Sequence, residues 1–243
     1  MNDRPYVTLS CAMSIDGCLD SAAPRRLAMS NAADFDRVDQ QRAQSDAILV
    51  GATTIRRDDP RLLVRDEGRR MLRAAAGRPP SPMKVTVTAS GDLPPSARFF
   101  TMGDGEKLVY CPSGRREDIA ASLGGVATVV ALGAPLVVAE LLSDLHARGV
   151  RRLMVEGGGS LLTQFLAADL VDELQLVIAP FFVGEASAPR IVEPARFPWT
   201  AERRARLAET RRIGDVVLLR YALSERFDER AASAMPGSLP AWD

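Results

Sequence analysis

Three consecutive glycines, Gly157-Gly158-Gly159, stand between a short apolar run ending in an acid (Val150 to Glu156) and a helical pattern that begins at Ser160. No other stretch of this chain constrains its fold as tightly: a strand, a tight turn and a helix must follow one another within a few residues. Glycine permits close approach of backbone to a ligand, because no Cβ stands in the way. The free amides and dipole of a helix N-terminus suit a phosphate or pyrophosphate. Ser160 is placed to cap that helix. The plainer alternative is a strand-to-helix turn that binds nothing. The spacing matches neither the G-x-G-x-x-G fingerprint nor a P-loop, so a nucleotide site here belongs to another fold.

The rest of the chain alternates in the same way. Strands are expected at Tyr6–Ala12, Asp46–Val50, Met83–Thr88, Lys107–Cys111, Val126–Ala131, Arg151–Glu156 and Asp172–Pro180. Helices are expected at Asn31–Gln44, with Ser30 as N-cap and Ala32, Phe35, Val38 and Ala43 as its apolar residues, and at Arg115–Leu123, Pro135–Arg148 and Ser160–Ala168. The apolar face of the third of these, Pro135 to Leu145, could meet a dimer partner but is expected to face the core. Ala205–Ile213 and Val216–Leu223 bracket Gly214-Asp215, a hairpin signal. This order predicts an α/β protein with a mainly parallel sheet, helices on both faces and one antiparallel edge. Residues 1–226 read as one domain and 227–243 as a loosely attached tail. Gly68 to Pro82, rich in Arg, Ala and Pro, reads as a mobile insertion.

Composition narrows the chemistry. In 243 residues, 31 basic and 31 acidic side chains cancel, which leaves no global field for nucleic acid or membrane. Cys11, Cys18 and Cys111 have no metal-like spacing, and no apolar run reaches membrane-spanning length, so a reduced cytoplasm is the expected location. His146, the single histidine, reads as a surface residue beside Arg148. One histidine removes serine–histidine triads, cysteine–histidine dyads and histidine-rich metal centres. What remains is cofactor chemistry, carboxylates and substrate positioning.

In an open α/β sheet, ligands lie beyond the carboxyl ends of the strands. Four segments follow such ends: Ser10–Asp16, Gly51–Arg65, Thr88–Gly91 and Glu156–Ser160. In the second, Thr53 and Thr54 are placed for a ribose or pyrophosphate, and Asp58 and Asp59 for ribose hydroxyls. Arg42 and Arg65 can each hold a phosphate with a bidentate fork. The alternative for this segment is a solvated charged loop, with Asp58-Asp59-Pro60 a simple turn.

These residues resemble a family. Val7-Thr8-Leu9-Ser10-Cys11-Ala12-Met13-Ser14-Ile15-Asp16-Gly17 resembles the opening of the riboflavin-pathway pyrimidine reductases, found as the reductase domain of a bifunctional deaminase–reductase and as stand-alone enzymes. Arg42 to Gly51 with Thr54 to Arg65, then Glu156 to Leu161, then Leu170 to Leu174 look like the family's further motifs, in the family's order. The resemblance covers about residues 5 to 223. It implies a dihydrofolate-reductase-like fold, NADPH as hydride donor, a ribosylamino-pyrimidine 5′-phosphate as substrate and a homodimer. Carried over by motif, Thr54, Asp58, Gly158, Gly159, Ser160 and Leu161 would bind NADPH, and Gly157 and Ser90 join them as candidates from their places on the rim. Ala12, Arg42, Leu62, Arg65 and Glu156 would meet the substrate, and Glu156 or Asp58 would assist proton transfer. Ser90, Arg57 and Arg115 are candidates for a cofactor 2′-phosphate.

The chain departs from the family at Ser10, where a lysine is common, at Arg26-Leu27-Ala28, in place of Ser-x-Trp, and at Thr88-Ala89-Ser90, in place of Asp-Ser. These changes lie near the substrate and the adenosine end. They keep open a paralogue acting on another heterocycle, pterin-like or a specialised-metabolite precursor, and a nucleotide-binding protein without catalysis. No zinc-deaminase signature occurs, so a bifunctional enzyme is not expected.

Overall fold

A computed structural model describes residues 3–23, 26–133, 137–227 and 229. Its strands are β1 (Tyr6–Ser14), β2 (Ala47–Gly51), β3 (Met83–Val87), β4 (Lys107–Pro112), β5 (Thr128–Leu132), β6 (Arg152–Gly157), β7 (Glu173–Ala179), β8 (Arg206–Ile213) and β9 (Val216–Ala222). The helices are α1 (Ala32–Gln44), α2 (Ala52–Asp58), α3 (Glu67–Ala75), α4 (Arg98–Thr101), α5 (Arg116–Leu123), α6 (Val138–Ala147) and α7 (Gly159–Ala167). All nine strands join one sheet in the order β5-β4-β3-β2-β6-β1-β7-β9-β8. Pairing is parallel from β5 through β7, and β9 and β8 run antiparallel beyond it. Every strand expected from the sequence is present, and the α/β class with its antiparallel hairpin edge is the one observed.

The central strands are apolar on both sides because both faces are covered. Along β2, Ala47 and Leu49 enter one core layer while Ile48 and Val50 enter the other. The first layer is closed by Leu141, Leu142 and Leu145 of α6 with Leu161, Leu162 and Phe165 of α7. The second is closed by Ile55 of α2, Phe99 and Phe100 of α4, and Ile119 and Leu123 of α5. As expected, α6 faces the core. Pro135, at the expected start of that helix, and residues 228 and 230–243 of the expected tail lie outside the described residues.

Four local expectations are corrected. Asn31, not Ser30, caps α1: its side chain accepts from the amides of Ala33 and Asp34, and the Ser30 hydroxyl instead donates to Asp34 at 2.7 Å. Gly158, not Ser160, occupies the N-cap of α7, and no side chain caps that helix; Ser160 is exposed in its first turn. The Gly68–Pro82 segment is not a structureless insertion, because α3 occupies its first half. Asp66 caps that helix, and the buried Arg73 donates to the carbonyls of Ala43, Ser45 and Pro79 at 2.7–2.8 Å. Finally, α1 buries Asp34, Arg37 and Asp39 while Ala32 is exposed and Phe35 is 41% exposed. Apolar spacing holds at Ala43, which is buried, and at Val38, which packs against the core, but it fails at Ala32 and Phe35 because much of the inward face is polar, and buried charges are stable when paired.

Candidate active site

The carboxyl ends of β1, β2, β3 and β6 open into a single cleft of about 1830 Å³. All four segments expected at the rim contribute to its wall, among them Ser10 to Ala12, Gly51 to Arg65, Thr88 to Ser90 and Glu156 to Leu161. A site for one small ligand occupies roughly 300–1,000 Å³, so this cleft has room for two. Among the described residues, ten arginines and six carboxylates line it, a local excess of positive charge in a chain of zero net charge. Such a wall suits anionic ligands.

The three glycines form one side. Gly157 has φ +122°, a conformation that a side chain strains against. The Gly158 amide donates to the Thr54 hydroxyl at 3.3 Å, which ties the loop to α2. A Cβ on Gly159 would lie 2.5 Å from the Arg190 carbonyl oxygen, because residues 188–194 cross the start of α7 as a strap. That strap is fastened by Leu19 N–H to Pro189 O, Ile191 N–H to Gly17 O and Glu193 N–H to the Thr163 hydroxyl. No side chain caps α7, and the Leu161 and Leu162 amides turn back to Gly158 O at 3.0 and 3.1 Å.

Opposite stands an ion pair. Glu156, on β6, receives two parallel bonds of 2.7 Å from the Arg42 fork of α1, and Arg42 reaches on to Leu63 O at 3.3 Å. Burial alone lowers the Arg42 pKa, but Glu156, and to a lesser degree Asp39, outweigh it and raise it. Arg65 projects from the same loop with its side chain 59% exposed, donating to Phe35 O and resting over the Phe35 ring at 6.0 Å. Asp58, at the end of α2, has its carboxyl raised above the ordinary range by burial, with Asp20 adding to the rise and Arg26, 3.6 Å away, opposing it.

Ala12 is half-buried on the cleft wall beside Cys11, whose thiol burial pushes up to about 12 despite Arg37. Ser90 lies in the loop after β3, where its carbonyl accepts from Arg115 at 2.8 Å, and Arg56 anchors the same loop at Asp92 O. Leu62 and Leu161 line the cleft but bury their side chains, Leu62 in a left-handed conformation (φ +48°). Each therefore presents its backbone more than its side chain to the cleft. The cleft thus gathers Ala12, Arg42, Thr54, Asp58, Leu62, Arg65, Ser90 and Glu156 to Leu161, while Arg115, Asp16 and Gly91 lie outside its lining. It also takes in what the sequence reading missed: the 188–194 strap, which has no periodicity to mark it, and Arg37, hidden on the polar face of α1.

Comparison with known proteins gives the architecture its relatives. A model of the RibD C-terminal domain matches residues 5–219. The 2,5-diamino-6-ribosylamino-4(3H)-pyrimidinone 5′-phosphate reductase of Archaeoglobus fulgidus is 34% identical over 226 residues, which span 93% of this chain and 99% of that protein. Its counterpart from Methanothermobacter thermautotrophicus is 32% identical over 222 residues, 90% and 99% of the two chains. A crystal structure of a pyrimidine reductase-like protein from Corynebacterium diphtheriae superposes with a TM-score of 0.75 at 23% identity, over 90% of this chain and 91% of that one, a likeness of fold. Among the described residues, no helix is long and apolar enough to cross a membrane.

Proposed function

This chain belongs to the RibD C-terminal domain family, and from that premise we propose that it is an NADPH-dependent reductase of 2,5-diamino-6-ribosylamino-4(3H)-pyrimidinone 5′-phosphate, converting the ribosyl group to ribityl in riboflavin synthesis. The observation that carries the reading is that all four rim segments line one arginine-rich cleft, in a chain matched along almost the whole length of two reductases so named. Those names also favour the aminated over the deaminated pyrimidine. The homodimer implied by the family resemblance belongs to the same proposal.

The donor set fits a dinucleotide. The uncapped start of α7, the three glycines and the Thr54 hydroxyl suit a pyrophosphate, and Ser90 with Arg115 on its carbonyl suits a 2′-phosphate, whereas Arg57 is engaged by Asp20 at 3.3 Å. When bound, the nicotinamide supplies a hydride. The protein's own part is orientation and charge. Arg65, exposed in the cleft, takes the substrate's 5′-phosphate. Arg42 fixes Glu156 by its two-pronged contact, so the carboxylate presents its remaining lone pairs to the ribose and amine hydrogens. Opening of the ribosylamine ring exposes an electrophilic C1′, and reduction there consumes one hydride and one proton. Asp58, whose buried carboxyl binds its proton more tightly than usual, is the group assigned to that proton.

The test is oxidation of NADPH at 340 nm with the aminated and deaminated ribosylamino-pyrimidine 5′-phosphates offered separately. Turnover of the aminated compound upholds the reading. Tight NADPH binding with turnover of neither would point to a relative acting on another heterocycle.

A further inference from the structure

The loop from Asp59 to Asp66 has no regular secondary structure and contains two non-glycine residues at positive φ, Asp59 (+41°) and Leu62 (+48°). A segment of that kind holds one shape only if neighbours fix it. Here the fixing is concentrated on four successive residues. Leu63 O accepts from Arg42, and the Val64 amide donates to the Ser81 hydroxyl at 3.0 Å. The amides of Arg65 and Asp66 donate to the two oxygens of one carboxylate, Asp39 of α1, at 2.6 and 3.1 Å. That carboxylate is 2% exposed, also receives Arg69 at 3.0 Å, and lies 3.7 Å from the Arg65 guanidinium.

We infer that Asp39 is the positioning residue for recognition of the substrate's phosphate, acting through Arg65 without touching substrate. One buried carboxylate sets the backbone from which Arg65 departs and also restrains its side chain. Few residues other than aspartate suit the place, since several N–H donors converge on two oxygens. Asparagine, of nearly the same shape, would turn an NH₂ toward one of them. Charged hydrogen bonds of this type hold geometry that a bidentate phosphate contact needs. The inference rests on the assignment of the 5′-phosphate to Arg65.

The experiment compares wild type, Asp39→Asn, Arg65→Ala and the double variant, each with the 5′-phosphorylated pyrimidine and its dephosphorylated form. Asp39→Asn is expected to raise KM for the phosphorylated substrate about tenfold, with kcat within about threefold and an unchanged dissociation constant for NADPH. The dephosphorylated substrate should lose nothing, and the double variant should match Arg65→Ala alone. Equal losses on both substrates, or effects that multiply in the double variant, would overturn the role of Asp39 and leave only a structural one. Absence of turnover by the wild type would instead defeat the functional reading, and this inference with it. Should Asp39→Asn fold poorly by thermal melting, Asp39→Glu carries the same comparison. It keeps the charge and displaces the anchor by one methylene, so its KM should rise on the phosphorylated substrate alone.

Discussion

Replacing the three glycines one at a time with alanine separates three physical reasons for a single motif. At Gly159 the new Cβ would stand 2.5 Å from the Arg190 carbonyl oxygen and 3.8 Å from Leu19 Cδ1. An ordinary C···O contact is about 3.3 Å, so something must retreat by roughly 0.8 Å. Helix α7 cannot, because Leu161, Leu162 and Phe165 are locked in the core. The strap must move, at the expense of its bonds to Gly17, Leu19 and Thr163. Overpacking of this size costs about 2 kcal/mol, a fall in Tm of roughly 4–8 °C for a chain of this length. At Gly157 nothing obstructs a Cβ, but φ of +122° imposes about 1–3 kcal/mol of backbone strain. At Gly158 the Cβ meets Thr54 Oγ1 at an ordinary 3.5 Å, so no neighbour has to move to make room for it. Thermal unfolding with parallel NADPH titration reads all three. A Gly159→Ala protein with the wild-type Tm would refute the reasoning.

Gly158→Asp, which sets a carboxylate where a pyrophosphate is proposed, should abolish NADPH binding with little change in Tm; normal cofactor affinity would remove the loop from the site. Arg65→Ala should raise KM for the phosphorylated substrate about tenfold or more, from loss of a charged contact of roughly 1.5–3 kcal/mol, while NADPH affinity holds; equal loss of both would exclude the assigned role. Because burial raises the Asp58 carboxyl, the fold favours its protonated form. The stability this contributes is present below the ordinary carboxylate range and is lost as pH rises through the raised value. Asp58→Asn should therefore be at least as stable as wild type at pH 7, with its advantage shrinking as pH falls, and should flatten the alkaline decline of kcat. A pH–rate profile identical to wild type would take the proton away from Asp58.

Much of this molecule is legible from local sequence. The seven parallel strands were legible because buried parallel strands are short apolar runs, and Gly214-Asp215 marked the antiparallel hairpin of β8 and β9. Gly157 to Gly159 and Glu156 announced a βα turn with room for a ligand, and the rim rule brought four distant segments to one cleft. Polar burial was not legible in the same way. The inward face of α1 carries Asp34, Arg37 and Asp39. Asp34 and Arg37 pair within one turn, but the further partners Gln175 of Arg37 and Arg65 and Arg69 of Asp39 lie far away along the chain, and no helical period encodes those pairings. The Arg42–Glu156 pair joins residues separated by 114 positions, so only the packed sheet shows that both prongs of one candidate phosphate binder are already held by a carboxylate. The same distinction holds at Gly159, where the sequence requires a glycine for an unstated reason and the tertiary structure supplies it: the Arg190 backbone crosses where a side chain would begin. Hydrophobic period and turn chemistry are properties of neighbours in sequence, whereas ion pairs and close backbone crossings belong to neighbours in space, and these exist only once the chain has folded.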